Sequence, residues 1–184
     1  MVPIMSLWAP ILLSAVLAFV ASAIIHMVLR YHRSDFRKVP SEDAVMESLR
    51  RIGVPPGNYM FPHAGSMGGM KDPAFQEKWK QGPIAILTVM KDASMGKSLA
   101  QWFVYCVIVA IFVAYITGRA LGPGAEYSSV FRFAGATAFI AFGLALWQNS
   151  IWYKIAWSTT FKSNIDSLVY GLLTGGVFGW LWPA

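Results

Sequence analysis

The stretch Tyr59 to Lys71, YMFPHAGSMGGMK, spaces Met60, His63, Met67 and Met70 like soft metal ligands among glycines and prolines. Thioether and imidazole are donors that Cu(I) favours, and the four could converge on one ion if the loop closed on itself. No cysteine lies near enough to strengthen the set. Methionine also serves as adaptable packing, and this chain carries 9 of them. The glycines have a simpler use, allowing a turn the backbone angles it needs. The reading that follows is a flexible loop able to order on a partner. No cofactor is expected, and Cu(I) at Met60, His63, Met67 and Met70 is the alternative.

A second set is polar rather than soft. Gln148 and Asn149 close the third apolar run, and Asp166 opens the fourth. Amides at membrane depth find partners, in interhelical hydrogen bonds worth about 0.6–2 kcal/mol. Gln148, Asn149 and Asp166 could therefore form a pocket for an ion or a lipid headgroup. The plainer account is that Asn164 caps the fourth helix and Asp166 sits in its first turn, where negative charge is favoured. His26 and His32 flank the end of the first apolar run, a common place for interfacial histidine. A site joining His26 to Cys106 would have to bridge two spans.

Other chemistries find no support. There is no H-E-x-x-H, no C-x-x-C and no Ser/His/Asp order. ILTVMKDASMGKS ends in Gly96-Lys97-Ser98, but Lys91 stands where a phosphate-binding loop needs its first glycine. Nucleotide binding is not expected. The single cysteine excludes an intrachain disulfide and multi-cysteine zinc sites.

The elements that must position these groups are apolar. Of 184 residues, 56% are hydrophobic and 13% charged, against roughly 25% charged in a soluble domain. Residues 6–29, 98–117, 130–153 and 165–182 form four runs long enough to span a bilayer. The first has no basic residue before it and several after it, so it reads as a retained anchor rather than a signal peptide. Of 15 Lys and Arg, 11 fall between Arg30 and Lys97. The net charge of +6 therefore belongs to a membrane surface, not to a nucleic-acid groove. By the positive-inside rule, residues 30–97 and 154–164 face the cytoplasm, while both termini and residues 118–129 face out. In a bacterium this is the inner membrane.

Small residues mark the faces along which these helices can approach. Gly171, Gly175 and Gly179 recur every four residues, and Ser14, Ala18 and Ser22 make a matching face on the first span. The first and fourth spans are expected to mate there, and the glycine face could otherwise serve an oligomer seam. Ala134, Ala138, Ala141 and Ala145 make a third small stripe. In the insert, Ser41 is expected to cap a helix that Gly53 ends, and Asp72-Pro73 to open another reaching about Lys80. Pro83–Met90 has the composition of a strand. The fold class is an α-helical membrane bundle of four spans with a small mixed insert between the first two.

These features predict a non-enzymatic accessory, assembly or scaffolding subunit of a membrane complex. Its partners would be the lipid bilayer and other membrane proteins or further copies of itself. A small oligomeric transporter or channel using Gln148, Asn149 and Asp166 is the alternative.

Overall fold

The structure is a computed structural model that describes residues 1–184. In chain order the elements are α1 (Trp8–Ala23), α2 (Glu42–Ile52), β1 (Gly57–Phe61), α3 (Pro73–Gln81), β2 (Ala85–Val89), α4 (Met95–Ala120), α5 (Tyr127–Gly143), α6 (Trp147–Trp152) and α7 (Trp157–Trp180). The chain divides into two compact units. Met1–Arg37 with Met95–Ala184 makes the helical unit, and Lys38–Ser94 makes the other. The sequence placed the boundary of the insert at residue 30. Residues 30–37 instead fold with the helices, because their polar side chains find partners on α7.

Three helical stretches are long and apolar enough to cross a membrane: Ile4–Val28, Met95–Ala120 and Tyr127–Trp152. They make this an integral membrane protein. The first is α1 with a short 3-10 turn before it and a π-helical turn, Ile24–Val28, after it. The third is α5 and α6 joined by the 3-10 turn Leu144–Leu146. α7 matches them in length with 24 residues, but Lys162 and Asp166 make its first half less apolar. It also begins earlier than expected, at Trp157, so residues 157–164 are helix rather than loop.

α7 packs most extensively on α5, and also on α1. Glycine makes the first contact possible. A Cβ on Gly171 would lie 2.9 Å from the Gly135 carbonyl oxygen, and one on Gly175 would lie 2.7 Å from that of Phe131. A Cβ on Gly179 would meet the Tyr127 ring at 2.7 Å. The glycine face of α7 thus lies against α5, where the sequence pointed to α1. Gly135 accounts for the difference, since it lets two backbones come together at one level. Ser14, Ala18 and Ser22 are buried in the contacts that α1 makes with α4 and α7. Ala134 and Ala138 are buried as well, whereas Ala145 is exposed beyond the end of α5.

Polar ties close one end of the bundle. The Trp182 indole donates to the Gly122 carbonyl at 3.0 Å, and the Val2 amide donates to that of Gly118 at 2.8 Å. Nearer the other end, Ser150 and Thr160 join α6 to α7 through their hydroxyls at 2.6 Å.

In the second unit, β1 and β2 pair antiparallel with Gly57 opposite Val89 and Phe61 opposite Ala85. Asp72 caps α3, its carboxylate accepting from the Ala74 amide at 2.9 Å, with Pro73 in the first turn. Ser41 does not cap α2. It adopts φ +51° and makes no side-chain cap bond, so only Glu42 and Asp43 favour that helix end. Gly53 closes α2 at φ +70°. No residue from 38 to 94 is buried.

Candidate functional site

Asp166 is the starting point, because a carboxylate this deep on a mostly apolar helix needs a reason. The sequence supplied one in the helix dipole, and the structure removes it. α7 begins nine residues before Asp166, so the residue lies well past the first turn. Asn164 is not a cap either. Its side-chain oxygen accepts from the Trp147 indole at 3.1 Å, and its amide donates to the Thr160 carbonyl at 2.8 Å. Asp166 has a side-chain exposure of 5%, which leaves it dependent on protein partners.

Those partners come from the segment that follows α1. The π-helical turn Ile24–Val28, closed by the Leu29 amide donating to the Ile24 carbonyl at 3.1 Å, carries His26. Arg30 then adopts φ +60°, a conformation that costs a side-chain-bearing residue energy and reverses the chain. A 3-10 turn, Tyr31–Ser34, brings Tyr31 and His32 back beside the π-turn. The rings of His26 and His32 lie 4.4 Å apart.

His32 joins two carboxylates. Its Nε2 is 2.8 Å from Asp166 Oδ2, and its Nδ1 is 2.6 Å from Asp35 Oδ2. Each of its ring nitrogens thus faces one carboxylate oxygen, so the imidazole bridges Asp35 and Asp166. The Tyr31 hydroxyl donates to Asp166 Oδ1. From α7, one turn before Asp166, the Lys162 ammonium spends its three donors on Asp35 Oδ1 at 2.8 Å, Ser34 Oγ at 2.7 Å and the Tyr31 carbonyl at 2.8 Å.

Burial pushes the Asp35 carboxyl up. The hydrogen bonds and charges of Lys162 and His32 outweigh it and hold the group below the usual carboxylate range. His26 stands apart from this ring of bonds. Its side chain is 47% exposed, and its Nε2 lies 3.9 Å from Asp166 Oδ2, beyond hydrogen-bond reach. It also lines a cavity of about 460 Å³ with Ser22, Met27, Met95 and Trp102.

No family model, curated protein or solved structure matches this chain. Its function therefore has to be read from the site itself.

The other residues singled out by the sequence lie elsewhere. Gln148 is exposed and Asn149 half-buried on α6, and neither bonds to Asp166, whose partners are Tyr31 and His32. Cys106 is fully buried in α4. His63 borders a cavity of about 510 Å³ with Phe61, Asp72, Phe75 and Lys78, but no methionine lines it. Met60 and Met70 are exposed, and Met67 is 82% exposed.

Sequence reading missed His26, His32, Asp35 and Lys162 as a group. It took the histidines as interfacial, placed residues 154–164 in a loop, and did not single out Asp35. The usable signal was a carboxylate inside an apolar run combined with two histidines and an acid within ten positions. The reversal at Arg30 that joins them left no mark in residue type.

Proposed function

We propose that this integral membrane protein is a non-enzymatic accessory or assembly subunit, whose unit 38–94 meets a partner protein. One observation supports the reading. That unit has an antiparallel ladder and two helices, one of them side-chain capped, yet it buries no side chain, and it leaves Ile52, Phe61, Trp79, Ile84 and Ile86 exposed. A folded segment with unspent apolar surface gains by covering it. The Asp166 cluster fits the same reading, because it pins the chain to α7 just before it departs into unit 38–94.

Gentle extraction from the native membrane followed by native mass spectrometry tests this. A defined heteromeric partner that is lost on Ile84→Asp plus Ile86→Asp is the expected result. Recovery of the chain alone, or only as a self-oligomer, would overturn it.

A second reading, a small transporter or channel with its ionic site at Asp166, is favoured by the burial of that carboxylate between two histidines. It requires Asp166→Asn to abolish cation flux in proteoliposomes while assembly persists, and unchanged flux would sink it.

A further inference from the structure

A structural brace explains most of the cluster, but not all of it. Asp35, His32, Asp166, Tyr31 and Lys162 satisfy one another, and a tie between α7 and the segment after α1 needs nothing more. His26 is the remainder. It makes no hydrogen bond, keeps half its side chain exposed, and is carried on a π-helical turn, a distortion that often marks a functional position. Its free Nε2 nevertheless lies near the same Asp166 oxygen that His32 approaches.

We infer that His26, His32 and Asp166 form a binding site for a divalent first-row transition-metal ion. Their donor atoms all lie within 4.8 Å of one another. Two donors each about 2.1 Å from one ion at a tetrahedral angle stand roughly 3.4 Å apart. The observed separations from Asp166 Oδ2, 2.8 Å to His32 and 3.9 Å to His26, straddle that value. Adjustments of roughly 0.5 Å in each pair bring them to it. Rotation of the half-exposed His26 side chain closes the remaining pair.

The surroundings are those of a metal site rather than of three neighbouring side chains. A ligating histidine is normally oriented by a carboxylate on its other nitrogen, and Asp35 holds His32 Nδ1 at 2.6 Å. A ligating carboxylate is normally steadied on its second oxygen, and the Tyr31 hydroxyl serves Asp166 in this way. Lys162 neutralises Asp35, so the charge of Asp166 remains for the ion. On binding, the ion takes the place of any proton shared by His32 Nε2 and Asp166, which passes to solvent, while His32 Nδ1 keeps its proton and donates it to Asp35.

The donor chemistry selects the class of ion. Two imidazoles and one carboxylate suit Zn²⁺, Fe²⁺ or Mn²⁺ and leave coordination positions open. Calcium and magnesium prefer all-oxygen sets, and Cu(I) prefers sulfur, which is absent from the three ligands.

The test uses the full chain in detergent, stripped with a chelator and titrated with Zn²⁺ against a chromophoric competitor, then with Co²⁺ to read the coordination spectrum. One equivalent per chain is expected. His26→Ala removes no hydrogen bond, so the chain should still fold and melt cooperatively while Zn²⁺ binding weakens by more than ~100-fold. Asp35→Asn should weaken binding about 10–100-fold, the usual effect of losing an orienting partner. His63→Ala should change nothing. Wild-type affinity in a folded His26→Ala chain would overturn the site, as would Zn²⁺ binding lost in His63→Ala alone. The outcome does not depend on whether the chain has a protein partner.

Discussion

At the scale of single residues, the Asp166 cluster shows how buried charges are made tolerable. Asp35 meets Lys162 on one oxygen and His32 on the other, Asp166 meets Tyr31 and His32, and the donors of Lys162 are all used. Removing one member leaves another buried and unpaired, a loss of roughly 3–5 kcal/mol for a fully buried pair. Lys162 retains some exposure, so Lys162→Met should lower stability by about 2–3 kcal/mol. Removing both charges together, in Lys162→Met with Asp35→Asn, should cost less than the sum of the two single changes. Thermal melting of the four proteins in detergent gives the coupling directly, and strict additivity would show that the pair does not interact. Asp166 was visible in the sequence as an oddity. Its partners were not, because pairing across 134 positions depends on a chain reversal at Arg30, which no residue preference announces.

At the scale of elements, the contact between α5 and α7 depends on the absence of side chains at a few points. Gly175→Ala would place a methyl group 2.7 Å from the Phe131 carbonyl and 3.2 Å from the Gly135 Cα, both backbone atoms that cannot yield cheaply. The expected loss is about 1–3 kcal/mol. Gly176→Ala, whose nearest atom would be 3.9 Å away, should instead be neutral or gain up to about 1 kcal/mol from improved helix propensity. Opposite shifts in melting temperature from adjacent glycines are the signature to look for. Equal shifts would mean that helix propensity, not packing, governs the contact. The spacing of Gly171, Gly175 and Gly179 announced a close-packed face. It pointed to α1 as the mate, and α5, which offers small residues too, takes that place.

At the scale of the whole molecule, the distribution of Lys and Arg between the loops predicts an orientation that can be checked. In a Cys106→Ala background, a single cysteine at Met67 should resist a membrane-impermeant thiol reagent in intact cells and react once the membrane is opened. One at Gly122 should react in both states. The reverse pattern would invert the assignment and place unit 38–94 outside. Lys and Arg carry this prediction because they resist transfer across the bilayer, whatever the helices do within it.

The sequence by itself determined the membrane class, the three most apolar spans, a strand within Pro83–Met90 and the cap at Asp72. Each follows from interactions local along the chain: hydropathy over some twenty residues, strand-forming composition over some eight, or one side chain bonding an amide two positions on. Tertiary structure alone decided that α7 mates with α5, that it begins at Trp157, and that residues 30–37 belong to the helical unit. It alone gathered His26, His32, Asp35, Lys162 and Asp166. These outcomes rest on which backbones can touch and where buried charges find partners, and such terms take their values only when distant segments meet in space.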